Sequence, residues 1–271
     1  MTFDKHFLCT HVGIAISTYT NEKTDKDRYK IIDKSLASLK KIIHNNPLKI
    51  YVVIVVDGKV PDIHMNLLKK YKFDIYNRKE NGGVARTKNT SIRLLLEKNV
   101  DIGYLADDDV EYKEKCIQEY TKTIVRGKIH HIGFTQMSPI VHPKSTWKKM
   151  GYYRVKYNNQ NIMRHGGGGV GCWLSFTPEL IKKIGYFRVM PGKYGYEHIN
   201  FTHRCINQKI IPYGVDIIDS SNYLDHIGFE PVKINLFKKN HSIDEKYRQA
   251  ENKKNENVWK KDLHKYYPCI E

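Results

Sequence analysis

Apolar positions along this chain follow two rhythms. Three short, nearly unbroken apolar runs occur, at His11 to Ser17, Ile50 to Val56 and Ile102 to Ala106. Runs of this kind suit parallel strands buried on both faces. Between the first two, Ile31, Ile32, Leu36, Leu39, Ile42 and Ile43 recur at helical spacing, and a second helical stretch runs from Val84 to about Lys98. A short helix is expected near Ile63 to Tyr71 and a strand near Phe73 to Tyr76. Polar or glycine-bearing breaks stand between these elements: Thr18-Tyr19-Thr20-Asn21, Asp57-Gly58 and Asn81-Gly82-Gly83. The first 110 residues therefore alternate strand and helix, an α/β pattern built on a mostly parallel sheet.

The second half has a different texture. Glu111 to Val125 reads as a helix and His131 to Gln136 as a strand. Positions 138 to 165 are polar and carry Tyr152, Tyr153 and Tyr157. Four glycines, Gly166 to Gly169, run into the apolar segment Val170 to Phe176. Pro178 opens a helix to about Ile184, another helix covers Ile199 to Asn207, and a last strand lies near Tyr213 to Ile218. From about Lys233 the chain is rich in Lys and Asn and reads as an exposed tail with partial helix. Three regions result: 1–110, 111–230 and a basic tail, 231–271.

Composition narrows the function classes. Of 271 residues, 40% are hydrophobic and 11% aromatic, enough for a sizeable core. The net charge of +17 favours anionic partners: phosphates, nucleotide sugars, acidic glycans, nucleic acid or anionic surfaces. The five cysteines are widely spaced without a CxxC pair, so neither a zinc site nor a disulfide framework is indicated. No apolar run approaches the roughly 20 residues that span a bilayer. Residues 1–10 lack the apolar stretch of a signal peptide, and a cytoplasmic location is the expectation.

The chemistry concentrates at strand ends. Ligands of open α/β sheets sit beyond the carboxyl ends of the strands, so Asp57 and Asp107-Asp108-Asp109 should face one crevice. Three adjacent carboxylates repel one another and are costly without a cation. Mn²⁺ or Mg²⁺ binds through one or two carboxylates plus substrate phosphates. Asp107 and Asp109, two apart, project to one side if the chain there is extended. His226 is a further ligand candidate, reaching the metal from the far half. Glu197 and His198 follow Tyr194-Gly195-Tyr196 at a helix N-terminus, where the dipole favours a carboxylate and a neutral imidazole. Either could take a proton from an acceptor hydroxyl. The plainer roles are an acidic turn, a structural histidine and a helix cap. The glycine run permits close backbone approach but does not fit GxxxxGK[ST], which excludes a P-loop.

Taken in order, these segments resemble the family 2 glycosyltransferases and their GT-A relatives over about residues 11 to 230. Ile14 to Tyr19 is similar to the opening strand and nucleotide loop, and Val53 to Gly58 to the strand ending in the acid that reads the base. Asn81-Gly82-Gly83-Val84-Ala85-Arg86-Thr87-Lys88-Asn89 is similar to the N-x-G-x-x-x-A-R-N segment, with Lys88 at the arginine position. Leu105 to Val110 matches the DxD motif. Gly168 to Phe176 resembles the acceptor-side strand. Gly185-Tyr186-Phe187 with Tyr194 to His198 and Arg204 resembles G-x-[FY]…[WY]-G-x-E-D…R.

The resemblance implies a GT-A fold and a metal-dependent transfer of a sugar from a nucleotide diphosphate, a UDP-sugar, to a hydroxyl acceptor on a glycan, lipid or protein. Thr18, Tyr19, Asp57, Arg86, Lys88, Asp107 and Asp108 would line the donor. Asp107, Asp109 and His226 would hold Mn²⁺ or Mg²⁺. Inverting relatives carry Asp as the base where this chain has His198, so the base here would be Glu197, His198 or another group; retaining relatives also carry Gly-x-Glu without the Asp, so the resemblance implies neither anomeric outcome. Two rivals remain at this level. A sugar nucleotidyltransferase should show a glycine-rich basic loop after the first strand, and Ser17 to Asn21 lacks it. A nucleic-acid binder fits the charge but not the acidic triplet.

Overall fold

The structure, a computed structural model, describes residues 5–44, 46–135, 148–168, 171–232, 236–240 and 245–271. The apolar runs form β1 (His11–Thr18), β2 (Lys49–Val56) and β4 (Ile102–Asp107), and the short strand expected near Phe73 to Tyr76 is β3 (Asp74–Asn77). These lie parallel in the order β3-β2-β1-β4. After β5 (Val110–Tyr112), β6 (Tyr153–Tyr157) and β7 (Gln160–His165), strand β8 (Trp173–Phe176) joins the sheet antiparallel to β4. A three-stranded sheet combines β6, β7 and β9 (Gly214–Ile217), while β5 pairs with β10 (Leu224–His226). Strands at Phe229–Val232 and Leu236–Asn240 form a further antiparallel pair.

Side-chain alternation along each central strand assigns two cores. Val12, Ile14 and Ile16 of β1, Val52, Ile54 and Val56 of β2, and Tyr104 and Ala106 of β4 enter one cluster. Ala15, Val53, Val55 and Leu105 enter the other. With period 2 and both faces covered, the strands have no polar face, which is why their sequences are continuous apolar runs. After α1 (Lys5–Leu8), helices α2 (Lys26–His44), α3 (Asp62–Lys69) and α5 (Cys116–Gly127) supply the first cluster through Ile32, Leu36, Leu68, Ile117 and Tyr120. The second takes Ile92 and Leu95 from α4 (Val84–Glu97), Leu180 and Ile184 from α6 (Pro178–Ile184), and Phe201 from α7 (Glu197–Asn207). Thr177 caps α6, its hydroxyl accepting from Leu180 N at 3.3 Å, and Pro178 fits the first turn.

Four expectations change. The helix expected from Glu111 starts at Cys116, because Val110 and Tyr112 are buried in β5, paired with Leu224 to His226 more than 100 residues away. The strand expected at His131 to Gln136 is an extended segment with a single bridge, Gly133 to Leu174. Its backbone is divided between neighbours, Ser175 N donating to Ile132 O and Gly133 N to Val215 O; Gln136 lies outside the described residues. The polar stretch before the glycines holds the β6–β7 hairpin, turned by Asn158 and Asn159 with φ of 43° and 62°. Of that stretch 138–147, and of the glycine run Gly169 with Val170, lie outside the described residues. Lastly, the basic C-terminal region is docked from about residue 251 onward. Helix α8 (Glu245–Glu256) buries Glu251 and Asn255, and Tyr267 bridges to Gly185.

Candidate active site

Strand β4 ends at Asp107, and Asp108 and Asp109 make the turn into β5. Because this segment turns, the three carboxylates do not alternate as they would in an extended strand. Each meets its own partners. Asp107 is 36% exposed to the cleft and lies 3.3 Å from Lys88 Nζ. Asp108 is buried, accepting from Thr18 Oγ1 and pairing with Arg28. Thr18 Oγ1, having given its proton to Asp108, accepts from His64 Nε2 at 3.0 Å. Asp109 is 3.3 Å from Arg28 Nη1 and 3.2 Å from His226 Nε2. The β5–β10 register sets this last contact: His226 pairs with Val110, next to Asp109, and Ile227 N donates to Asp109 O at 2.8 Å.

The turn is electrostatically divided. Burial pushes Asp108 up to about 6 despite Arg28 and Thr18. Burial also raises Asp107, reinforced by Asp109 and Glu197 and opposed by Lys88 and His226. For Asp109 burial works the same way, but His226 and Arg28 outweigh it and hold the carboxyl below the usual range. Burial opposes protonation of His226, and Asp109 overcomes it, raising the imidazole. His64, buried beside Arg28, is pushed down to about 4. Arg28 and Lys88 thus neutralise part of the cluster from inside the fold.

The far wall comes from the second half. Cys172 O accepts from Asp107 N at 2.9 Å where β8 meets β4, bringing Gly171 to the site. Lys88, fully buried, donates to Gly171 O at 2.6 Å as well as pairing with Asp107. Glu197 opens α7 after two left-handed residues, Gly195 (φ 87°) and Tyr196 (φ 67°). Burial penalises its charge, but His198, with Nδ1 at 3.5 Å from Oε1, and then Lys88 hold the carboxyl below its ordinary range. A Cβ on Gly171 would stand 2.7 Å from His198 Nδ1, so glycine there lets the histidine approach the backbone. Asp107, Asp109, Lys88, Glu197, His198 and His226 therefore cluster at the carboxyl end of β4.

Other expected residues sit at the edges of this cluster. Tyr19 is half-buried after β1. The Asp57 carboxylate, at the end of β2, is occupied by Gly82 N at 3.1 Å, Gly83 N at 2.9 Å and Arg78. Arg86 points elsewhere: its Nη1 donates to Glu271 O at 2.9 Å. Sequence reasoning missed Arg28, His64 and Arg78. Arg28 starts a helix with no local sign of its partners, which lie about 80 positions further on.

The donor set at the turn, oxygen from Asp107 and Asp109 with one imidazole, suits Mn²⁺ or Mg²⁺. Among the described residues no three His, Cys, Asp or Glu side chains stand as a ready-made metal cage. None of the described helices is long and apolar enough to cross a membrane, and all five cysteines are free.

Residues 14–185 match the profile of glycosyl transferase family 2. A protein of Acanthamoeba polyphaga mimivirus, called an uncharacterized glycosyltransferase, is 40% identical over 266 residues, which is 96% of each chain. Two solved structures share the fold. The mannosyltransferase of Pyrobaculum calidifontis in complex with GDP-Man and Mn²⁺ is 15% identical, with a TM-score of 0.53 over 73% of this chain and 52% of its own. Staphylococcus aureus TarS (1–349) in complex with UDP is 18% identical, with a TM-score of 0.51 over 72% of this chain and 54% of its own. The chain spans about half the length of each of these two. The sheet order β3-β2-β1-β4-β8 and these neighbours make the fold GT-A-like. From the profile match and the viral relative together, the chain belongs to glycosyl transferase family 2.

Proposed function

We propose that this glycosyltransferase moves a hexosyl unit from a UDP-sugar to a hydroxyl acceptor on a glycan, lipid or protein, with Mn²⁺ or Mg²⁺ as cofactor. The observation that carries the reading is Asp107: a half-open carboxylate at the end of a buried strand, flanked by Lys88, Glu197 and the Asp109–His226 pair. Asp107, Asp109 and His226 are the residues that would hold the metal. When bound, a divalent cation supplies charge neutralisation for the leaving nucleoside diphosphate.

The remaining work falls to the chain. Lys88 is enclosed and touches Asp107, so it orders that carboxylate rather than gripping the diphosphate. Arg28 does the same for Asp108 and Asp109. The nucleoside lies across the carboxyl ends of β1 and β2, beside Thr18, Tyr19 and the Asp57 turn. Glu197, held ionised by His198 and Lys88, accepts the proton of the acceptor hydroxyl, which attacks the anomeric carbon as the diphosphate leaves. His198 orients Glu197. The uridine reading draws on the UDP complex of TarS and stands against the GDP-Man complex of the mannosyltransferase, whose Mn²⁺ favours the metal.

The test is a thermal-shift panel of UDP- and GDP-sugars with and without Mn²⁺, followed by turnover. A UDP-sugar at about 100 times its Kd should add about 2.7 kcal/mol of stability. Asp107→Ala and Asp109→Ala should lose the Mn²⁺-dependent part. Donor turnover unchanged in Asp109→Ala with added Mn²⁺ would overturn the metal assignment. Stabilisation by GDP-sugars alone would overturn the uridine one.

A further inference from the structure

The turn that delivers Glu197 is held by polar contacts rather than by an apolar face. Residues 191–196 form no regular element and contribute nothing to either hydrophobic cluster. Gly195 and Tyr196 are both left-handed, a conformation that a side chain disfavours. Tyr196, the cap of α7, makes no side-chain capping bond. Besides contacts with Asn81 and Val84, much of what holds the turn comes from the C-terminal region.

We propose that Asn255, on α8, is a positioning residue for Glu197, its carboxamide fixing the Gly192–Gly195 turn on which the base is mounted. The proposal rests on the reading of Glu197 as the base. Asn255 is 1% exposed. Its Oδ1 accepts from Gly192 N at 2.8 Å. Its Nδ2 faces three carbonyls, Gly192 O at 3.1 Å, Tyr194 O at 3.0 Å and Gly195 O at 2.9 Å. The donor and acceptor sides of the carboxamide are therefore both spent on one turn. One helical turn earlier, Glu251 accepts from Lys193 N at 2.7 Å. Beyond α8, the Trp259 ring stacks on Tyr196 at 6.0 Å and 11°, and Trp259 O accepts from Asn200 Nδ2 at 2.6 Å.

The same turn braces the opposite wall. Lys193 O accepts from Val84 N at 3.0 Å, and Val84 begins α4, the helix that carries Lys88. A Cβ on Gly83 would come within 2.6 Å of Lys193 O, so the two turns are in direct contact. Asn255 therefore acts on Glu197 through the turn that carries it, and on Lys88 through the contact of that turn with α4.

The experiment compares the full-length protein with Asn255→Ala and Asn255→Asp. Asp keeps the acceptor for Gly192 N but turns a carboxylate oxygen toward three carbonyls, so it should not rescue. Hydrogen–deuterium exchange should rise at least about tenfold over residues 192–196 in both variants, with β1 and β4 unchanged. With the nucleotide sugar that the wild type turns over, kcat should fall about 10- to 100-fold, as expected for a misplaced reacting group. KM for the donor should stay within about threefold, and stabilisation by UDP with Mn²⁺ should persist. Unchanged exchange over 192–196 overturns the proposal. So does kcat within twofold of wild type, or a fall in UDP stabilisation that tracks the fall in kcat. A wild type that turns over no nucleotide sugar sinks the reading of Glu197 as base, and the exchange result then decides on its own whether Asn255 holds the turn.

Discussion

Removing Arg28 tests whether the acidic turn is neutralised from within the fold. The guanidinium is 5% exposed, pairs with Asp108 and lies 3.3 Å from Asp109. At an effective dielectric of about 20, a unit-charge pair at that distance attracts by about 5 kcal/mol before desolvation is counted. Deleting one member of a buried pair typically costs about 3–5 kcal/mol, because the partner is left buried and uncompensated. Arg28→Ala should therefore lose about 3 kcal/mol or more at pH 8, a fall in Tm of roughly 6–12 °C for a chain of this size. The loss should shrink at pH 5. Asp108 already sits at about 6 in the fold, above its unfolded value, and without Arg28 it moves higher. A carboxyl raised by folding stabilises the native state below its unfolded pKa and loses that contribution as pH rises through the folded one. Through Asp108, the penalty for Arg28→Ala thus grows from about pH 6 upward, where the wild-type carboxyl ionises against Arg28 and the variant's does not. Urea denaturation at pH 5 and pH 8 measures it. The double variant Arg28→Met with Asp108→Asn removes both charges and should recover more than half of the loss. A loss below about 1 kcal/mol at pH 8, a loss independent of pH, or strictly additive single variants would refute the reasoning.

Other expectations are simpler to state. Glu197→Gln should lower kcat about 10²- to 10⁴-fold with little change in UDP binding, the signature of a lost proton acceptor; equal kcat would remove Glu197 from the chemistry. Gly103→Ala should destabilise by about 1–3 kcal/mol in urea, because a Cβ there meets the Phe176 ring at 2.2 Å. His131 is fully buried between Ser175 O at 2.7 Å and Thr202 Oγ1 at 2.9 Å, and burial lowers it to about 4. Its contribution to stability is present above the unfolded value and lost as pH falls from about 6.5 through 4. NMR of labelled imidazole carbons should show His131 still neutral at pH 5, and a charged ring at that pH would contradict the packing.

Much of the core was legible because its signals are local. A strand buried on both faces has to be apolar at every position, so β1, β2 and β4 stand out in the sequence. The spacing of Ile32, Leu36 and Leu39 likewise announces the inward face of α2. The acids after β4, Glu197 with His198, and His226 were nameable because strand ends and helix starts are where such an architecture places chemistry. What the sequence hid were pairings with distant partners. Val110 to Tyr112 looked helical until Leu224 to His226 came alongside, and that pairing is what seats His226 against Asp109. Arg28 and Arg78 are ordinary basic residues in a chain with 46 Lys and Arg, and Lys88 stood out only through the family resemblance. Burial against carboxylates singles them out, and burial is set by the whole fold. The C-terminal region is polar along its length, yet Asn255 and Glu251 are buried, because their bonds go to backbone groups of one distant turn rather than to an apolar face that periodicity can reveal. Local pattern determined which segments fold; long-range hydrogen bonds and buried charge decided how the cleft is walled.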